Sequence, residues 1–217
     1  MAVTPTNGYC DGDELKAALN IPTATATDDA ALTRAIDTAS RAIDRYCGRR
    51  FWADTEDVVR YFTARDANSL TIAYDNPGDY GLVAEPTEVA IDRDGDHDWN
   101  DVYVLGDAFD VEPKHAVVAN GAPYTRLVIL LDNDGWPVGV PDGVRVTGRF
   151  GYPTTPPEII EATLIQASRI FKRVREAPFG IAGVTFDGGG VRLLSRLDAD
   201  VEMLVRPYRT GSDMGFA

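Results

Sequence analysis

Two stretches far apart in the chain carry the same apolar stripe, and nothing else constrains the fold as tightly. In residues 28–47 the stripe is Leu32, Ile36, Ala39, Ile43 and Tyr46. In residues 156–176 it is Ile160, Leu164, Ala167, Phe171 and Val174. Both sets recur at i, i+4, i+7, i+11 and i+14, which lines one face of an α-helix. Such a face must be buried, and two helices of matched length and stripe are natural partners. Small residues at Ala39 and Ala167 allow a close approach. The end signals agree. Asp28 stands at an N-cap position and Gly48 at a C′ position. Pro156 and Pro157 open the later helix, Glu158 and Glu161 sit at its positive dipole end, and Lys172, Arg173 and Arg175 at its negative end. Pro178 and Gly180 stop it.

Between these helices the period changes. VVRYF (58–62), SLTIAY (69–74), EVAID (88–92), DVYVL (101–105), FDVE (109–112), TRLVILL (125–131) and VRVTGRF (144–150) read as strands. Asp94-Gly95, Asn120-Gly121, Asp134-Gly135 and Asp142-Gly143 fall between them as turn signals. The pattern reads as antiparallel hairpins. A short helix capped by Asp11 or Asp13 precedes the first long one and carries Leu15 and Leu19. After the second long helix, VTFDGGGVRLL reads as a hairpin and DADVEMLVRPY as a short helix capped by Asp198 and stopped at Pro207. RTGSDMGFA is a polar end. The expected fold is therefore α+β: an antiparallel helical core of two long helices and a short N-terminal one, an inserted antiparallel β-hairpin module, and an extended C-terminal tail. The expected parts are 1–52 (arm and core helices), 53–150 (β insert), 151–180 (long core helix) and 181–217 (hairpin, short helix and tail).

Charge separates these parts. The formal net charge is −13, from 21 Lys/Arg against 34 Asp/Glu. Residues 53–150 hold 7 Lys/Arg and 19 Asp/Glu, so the insert alone carries −12. Generic nucleic-acid binding is excluded on that ground, because neutralising phosphates needs a basic footprint. No apolar run reaches the length of a membrane span, and the N-terminus lacks a basic and apolar leader, so the expectation is synthesis in the cytosol. Cys10 and Cys47 do not make a disulfide framework and read as small buried thiols.

Few residues point to chemistry. Asp92, Asp94, Asp96 and Asp98 alternate as cation-loop ligands do. However, His97 stands where an EF-hand needs glycine, and Tyr103 occupies the twelfth position. His97 and His115 have no Cys or Glu at ligand spacing. G-x-S-x-G, H-E-x-x-H and the P-loop pattern are absent. Neither an enzyme nor a cofactor is expected. Phe51, Trp52, Phe150, Tyr152 and Phe179 flank the two long helices and read as packing at the joints or as interface aromatics. Arg41, Arg45, Arg49 and Arg50 suit a helix C-terminal end and can also reach a neighbouring subunit. Two competing classes stay open: a calcium- or carbohydrate-binding β module on a helical base, and a hydrolase with a buried acid pair.

The residues resemble one family. YCDGDELKAALNI, the helix ending IDRYCGRRFW, a β-rich insert, VTGRFGYPTTPPEIIEATLIQASRIFKR with APFG, and VEMLVRPYR are similar to the head–tail connector (adaptor, or head-completion) proteins of long-tailed bacteriophages. The similarity is strongest in residues 9–52 and 144–209. It implies a structural virion protein of the neck, made in the bacterial cytoplasm, that binds the portal as a dodecameric ring. It further implies an extended DNA channel through which DNA passes without specific binding, and a docking platform for the next connector or tail component. It maps a portal-seeking segment onto about Leu194 to Ala217. The interface candidates are Arg49, Arg50, Phe179, Leu204, Val205, Tyr208, Arg209 and Phe216.

Overall fold

A computed structural model describes residues 7–73, 80–115, 121–131, 133–176, 181–184, 190–192 and 197–209. The chain divides into two compact units. One holds the described residues of Met1–Gly48 and Thr155–Arg209, the other those of Arg49–Thr154. It is an α+β protein whose sheets are antiparallel.

The first unit is helical. α1 (Gly12–Ala18) starts at a capping box. The Asp11 carboxylate accepts from the Glu14 N–H at 2.7 Å, and the Glu14 carboxylate accepts from the Asp11 N–H at 2.9 Å. α2 (Asp29–Cys47) ends at Gly48, whose φ of 70° a side chain would resist. Asp28 stands at its N-cap but makes no side-chain cap hydrogen bond, and its carboxylate meets Arg175 at 3.3 Å instead. α3 (Pro157–Glu176) packs along α2. The shared core contains Leu15, Leu32, Ala35, Ile36, Ala39, Ala167 and Phe171. Ala39 and Ala167 are both fully buried, which fits a close helix pair.

The α3 stripe is corrected at its end. Val174 is 64% exposed, whereas Ile159, Ala162, Thr163 and Gln166 are buried. α1 and the short α4 (Ala199–Val205) also pack on α3. A helix with three neighbours buries a wider arc than one stripe, and that arc is centred on the first three turns. Lys16 is another buried residue that periodicity does not foresee. Its side chain is 2% exposed, with Nζ 2.6 Å from the Asp29 carboxylate and 3.2 Å from the Thr23 carbonyl. It clasps the α1–α2 connection to both helices. In the same unit, β8 (Ile181–Val184) and β9 (Gly190–Arg192) pair antiparallel.

The second unit is built from seven strands: β1 (Val58–Phe62), β2 (Ser69–Thr71), β3 (Glu88–Ile91), β4 (Asp101–Tyr103), β5 (Phe109–Glu112), β6 (Arg126–Ile129) and β7 (Val144–Gly148). A four-stranded sheet runs β1-β7-β3-β4 and a three-stranded sheet runs β2-β6-β5. The expected hairpins are present in part. Only β3·β4 and β5·β6 join neighbours in sequence, while β1·β7, β3·β7 and β2·β6 are long-range. Leu82 bridges both Tyr124 and Phe150. One core is shared by the two sheets: Phe62, Leu70, Val89, Ile91, Phe109, Leu127, Trp136, Val144, Val146 and Phe150. Strict alternation in β7, with Val144, Val146 and Gly148 buried, supplies the central strand of that core.

Candidate interaction surfaces

The corner where the β unit begins is built from its two chain ends. Asp54 N–H donates to the Phe150 carbonyl at 2.8 Å, and Phe150 N–H donates back to the Asp54 carboxylate at 3.2 Å. Arg50 adds an ion pair to Asp54 at 2.5 Å and a hydrogen bond to the Phe150 carbonyl at 3.2 Å. Its guanidinium lies 3.8 Å from the centre of the Trp52 ring. Arg49 is buried, and its Nη1 donates to the Tyr152 hydroxyl at 3.0 Å. Phe51 stacks on Tyr152 with centroids 5.0 Å apart. Arg49 and Arg50, expected at an interface, both make contacts within the fold. Gly151 completes the corner. At φ +124°, a Cβ there would lie 2.2 Å from the Trp52 carbonyl oxygen.

The C-terminal segment is clasped to the helical unit. Val205, expected at an interface, is fully buried, as is Val201. The Cys47 thiol donates to the Val205 carbonyl at 3.7 Å. Around this contact the Tyr46 hydroxyl donates to Glu202 at 2.9 Å, and the Tyr208 hydroxyl donates to Glu158 at 2.9 Å. The exposed Arg209 places its guanidinium 5.4 Å from the Tyr46 ring centre. Desolvation, then the hydrogen bond to Glu202 and its charge, holds the Tyr46 hydroxyl above the usual tyrosine range. Leu204 is half-buried. Met203, not singled out in the sequence, is the exposed apolar residue here at 69%. Helical spacing from Val201 and Val205 is the signal that finds it, since 203 falls on the opposite face. Phe179 and Phe216 lie outside the described residues.

The aspartate run folds as a loop between β3 and β4. The buried Asp92 carboxylate accepts from the N–H groups of Gly95 at 2.7 Å, His97 at 2.9 Å and Asp94 at 3.2 Å. Burial pushes Asp92 up, but these backbone donors outweigh it and leave its carboxyl below the usual range. Asp94 moves the other way, chiefly from the charge of Asp96. Asp92, Asp94 and Asp96 come together with ligand atoms within 4.8 Å of one another, and Asp98 is not part of that group. Two of the three are exposed and the third already ties down the loop backbone. His97 and His115 are both exposed.

Both cysteines are buried and free. Burial, and then the charges of Glu14 and Asp11, pushes the Cys10 thiol up to about 12. Among the described residues, no helix is long and apolar enough to cross a membrane.

Two solved structures share the fold over nearly the whole chain. One is described as the neck of an empty GTA particle computed with C6 symmetry, with 19% identity, a TM-score of 0.53, and 94% of this chain and 91% of that chain covered. The other is the virion of a native gene transfer agent particle, with 18% identity, a TM-score of 0.54, and 98% and 95% covered. A family model matches part of the sequence. Residues 13–74 match the family described as phage gp6-like head-tail connector protein. That match spans α1, α2 and the first two strands, so the chain is similar to head–tail connectors where the helical core begins. No curated protein matches the chain.

Proposed function

We propose that this protein is a structural connector of the neck in a phage-like particle, without enzymatic activity. It binds the portal as a ring, extends the DNA channel and offers a platform to the next neck or tail component. One observation carries this reading: a head–tail connector family matches α1 and α2, while a neck chain and a virion chain share the fold of the whole. Two physical features support it. A cyclic ring needs two different patches per subunit, and a chain of two compact units offers them. The −12 charge of residues 53–150 repels phosphate, which suits a wall past which DNA slides without sticking. The C-terminal segment remains the portal-seeking element of this proposal, with Leu204, Tyr208 and Arg209 as its described contacts and Met203 added to them.

Negative-stain microscopy and mass photometry, with and without the cognate portal, test the reading. Rings on the portal are expected. A compact monomer indifferent to portal would refute it.

A further inference from the structure

α4 does not hold its own shape. Its seven residues fall well short of the ~12–15 that an isolated helix needs in water, so it is helical because of what it sits on. The seat is a groove rimmed by Tyr46 and Cys47 of α2 and by Glu158, Gln166 and Arg169 of α3. Val201 and Val205 fill it and are fully buried. Polar contacts pin the helix along its length. At its start the Asp198 carboxylate meets Arg169 at 2.7 Å, and the Asp198 N–H donates to the Gln166 side chain at 3.3 Å. Glu202 accepts from Tyr46, and past the helix end the Tyr208 hydroxyl donates to Glu158. Between α3 and α4, residues 177–180 and 193–198 flank the β8–β9 pair, whose outer ends Ile181 and Arg192 lie opposite each other. Those ten residues can span ~33 Å, more than twice the ~13 Å radius of gyration of a hundred-residue unit.

We propose that in the ring α4 seats in the groove of a second copy of this chain, so that each copy gives its α4 to one neighbour and receives the α4 of the other. The inference rests on the ring reading above. The groove itself selects the occupant, because it is already filled by this helix. A neighbour's α4 reproduces every contact made by Val201, Val205, Asp198, Glu202 and Tyr208, so the exchange gives up none of them. Helix and groove are also two different patches of one chain, which is the pair that a head-to-tail contact requires. Charge places that contact in the helical unit. Residues 1–48 and 155–209 hold 12 Lys/Arg against 14 Asp/Glu, whereas the acidic β units of two copies repel. In free chain the tether keeps α4 at its own groove. Once the portal gathers copies side by side, the neighbour's groove lies within the same reach and competes at a similar effective concentration. An exchanged helix then holds two copies together, so every other contact between them favours the exchanged form. Met203, 69% exposed on the opposite face, stays outward in either seat.

The test uses the full chain with its portal. A photo-crosslinking phenylalanine replaces Tyr46, which faces Glu202. Equal amounts of ordinary and heavy-nitrogen chain are mixed, assembled on the portal and irradiated, and the crosslinked peptide pairs joining positions 46 and 202 are read by mass spectrometry. Exchange is expected to make about half of these pairs hybrids of a light and a heavy peptide, the statistical share for two different copies, whereas the same mixture without portal gives almost none. A second chain with the probe at position 158, which faces Tyr208, repeats the measurement independently of any disturbance at Tyr46. Rings whose pairs are all of one isotope at both positions overturn this inference and leave the ring reading intact. Wild-type chain that never forms rings on the portal removes the connector reading and this inference with it.

Discussion

Lys16 offers the sharpest test of the helical unit. Its side chain is 2% exposed, with the ammonium 2.6 Å from the carboxylate of Asp29, whose side chain is 25% exposed. The Asp29 oxygen nearest it makes no aligned hydrogen bond, so the contact is mainly Coulombic, while the Thr23 carbonyl at 3.2 Å supplies the aligned one. Asp29→Ala strands a buried cation with one neutral acceptor. Breaking a buried pair from one side costs about 3–5 kcal/mol, and the partial exposure of Asp29 places this case near 3. At roughly 2–4 °C per kcal/mol for a chain of this size, the midpoint falls by about 6–12 °C. Lys16→Met has the opposite logic. It removes the ion, keeps the buried stem and leaves Asp29 able to hydrate, so stability stays within about 1 kcal/mol of wild type. The double variant Lys16→Met/Asp29→Ala should recover most of the loss. Thermal and urea unfolding followed by circular dichroism measure all four corners of this cycle. An Asp29→Ala loss below about 1 kcal/mol, or a double variant as unstable as Asp29→Ala, would refute the buried-cation account.

Two further outcomes follow from the β unit. Gly151→Ala combines a φ of +124° with a Cβ 2.2 Å from the Trp52 carbonyl oxygen, so backbone strain and overpacking together cost about 3 kcal/mol or more; a melting temperature within ~2 °C of wild type would contradict it. Asp92 has a folded-state pKa below its unfolded value of 3.8, so its stabilising effect is full above that pH and is lost as pH falls through the depressed value. Asp92→Asn is therefore expected to be less stable than wild type at neutral pH, with the gap closing only below pH 3.8, and a constant gap down to strongly acid pH would count against the loop-clasp role.

Local signals in the sequence were enough to find elements, and not enough to pair them. Most strands are rich in β-branched and aromatic residues, and Asp-Gly or Asn-Gly falls between β3 and β4, β5 and β6, and β6 and β7, so all seven are legible, two of them to the residue (Val58–Phe62 and Phe109–Glu112). Nothing within VRVTG states that β7 lies between β1 and β3, because pairing is decided by which faces share a core, and Phe62, Val89 and Val144 meet only in three dimensions. Side-chain direction at a helix end is similarly hidden. A basic cluster after α2 reads as suiting the helix end or reaching a neighbouring subunit, but Arg49 turns to Tyr152, a residue on the far side of the insert in sequence. The exposed sheet face was missed for the same reason. Val59, Tyr61 and Val102 look like core in their own strands, and only the register shows them outside.

That corner also explains how a β unit can interrupt two helices that must pack together. Asp54 and Phe150 exchange backbone and side-chain hydrogen bonds, Arg50 joins both, and Phe51 stacks on Tyr152. The insert thus closes its own ends with its own groups. An insert whose ends sit side by side imposes no spacing on the elements that flank it, which is the condition under which domains are tolerated inside other domains. α2 and α3 then keep the pairing set by Ala39 and Ala167 whatever lies between them. Arg49, Arg50, Phe51, Phe150 and Tyr152 thereby find partners inside one unit.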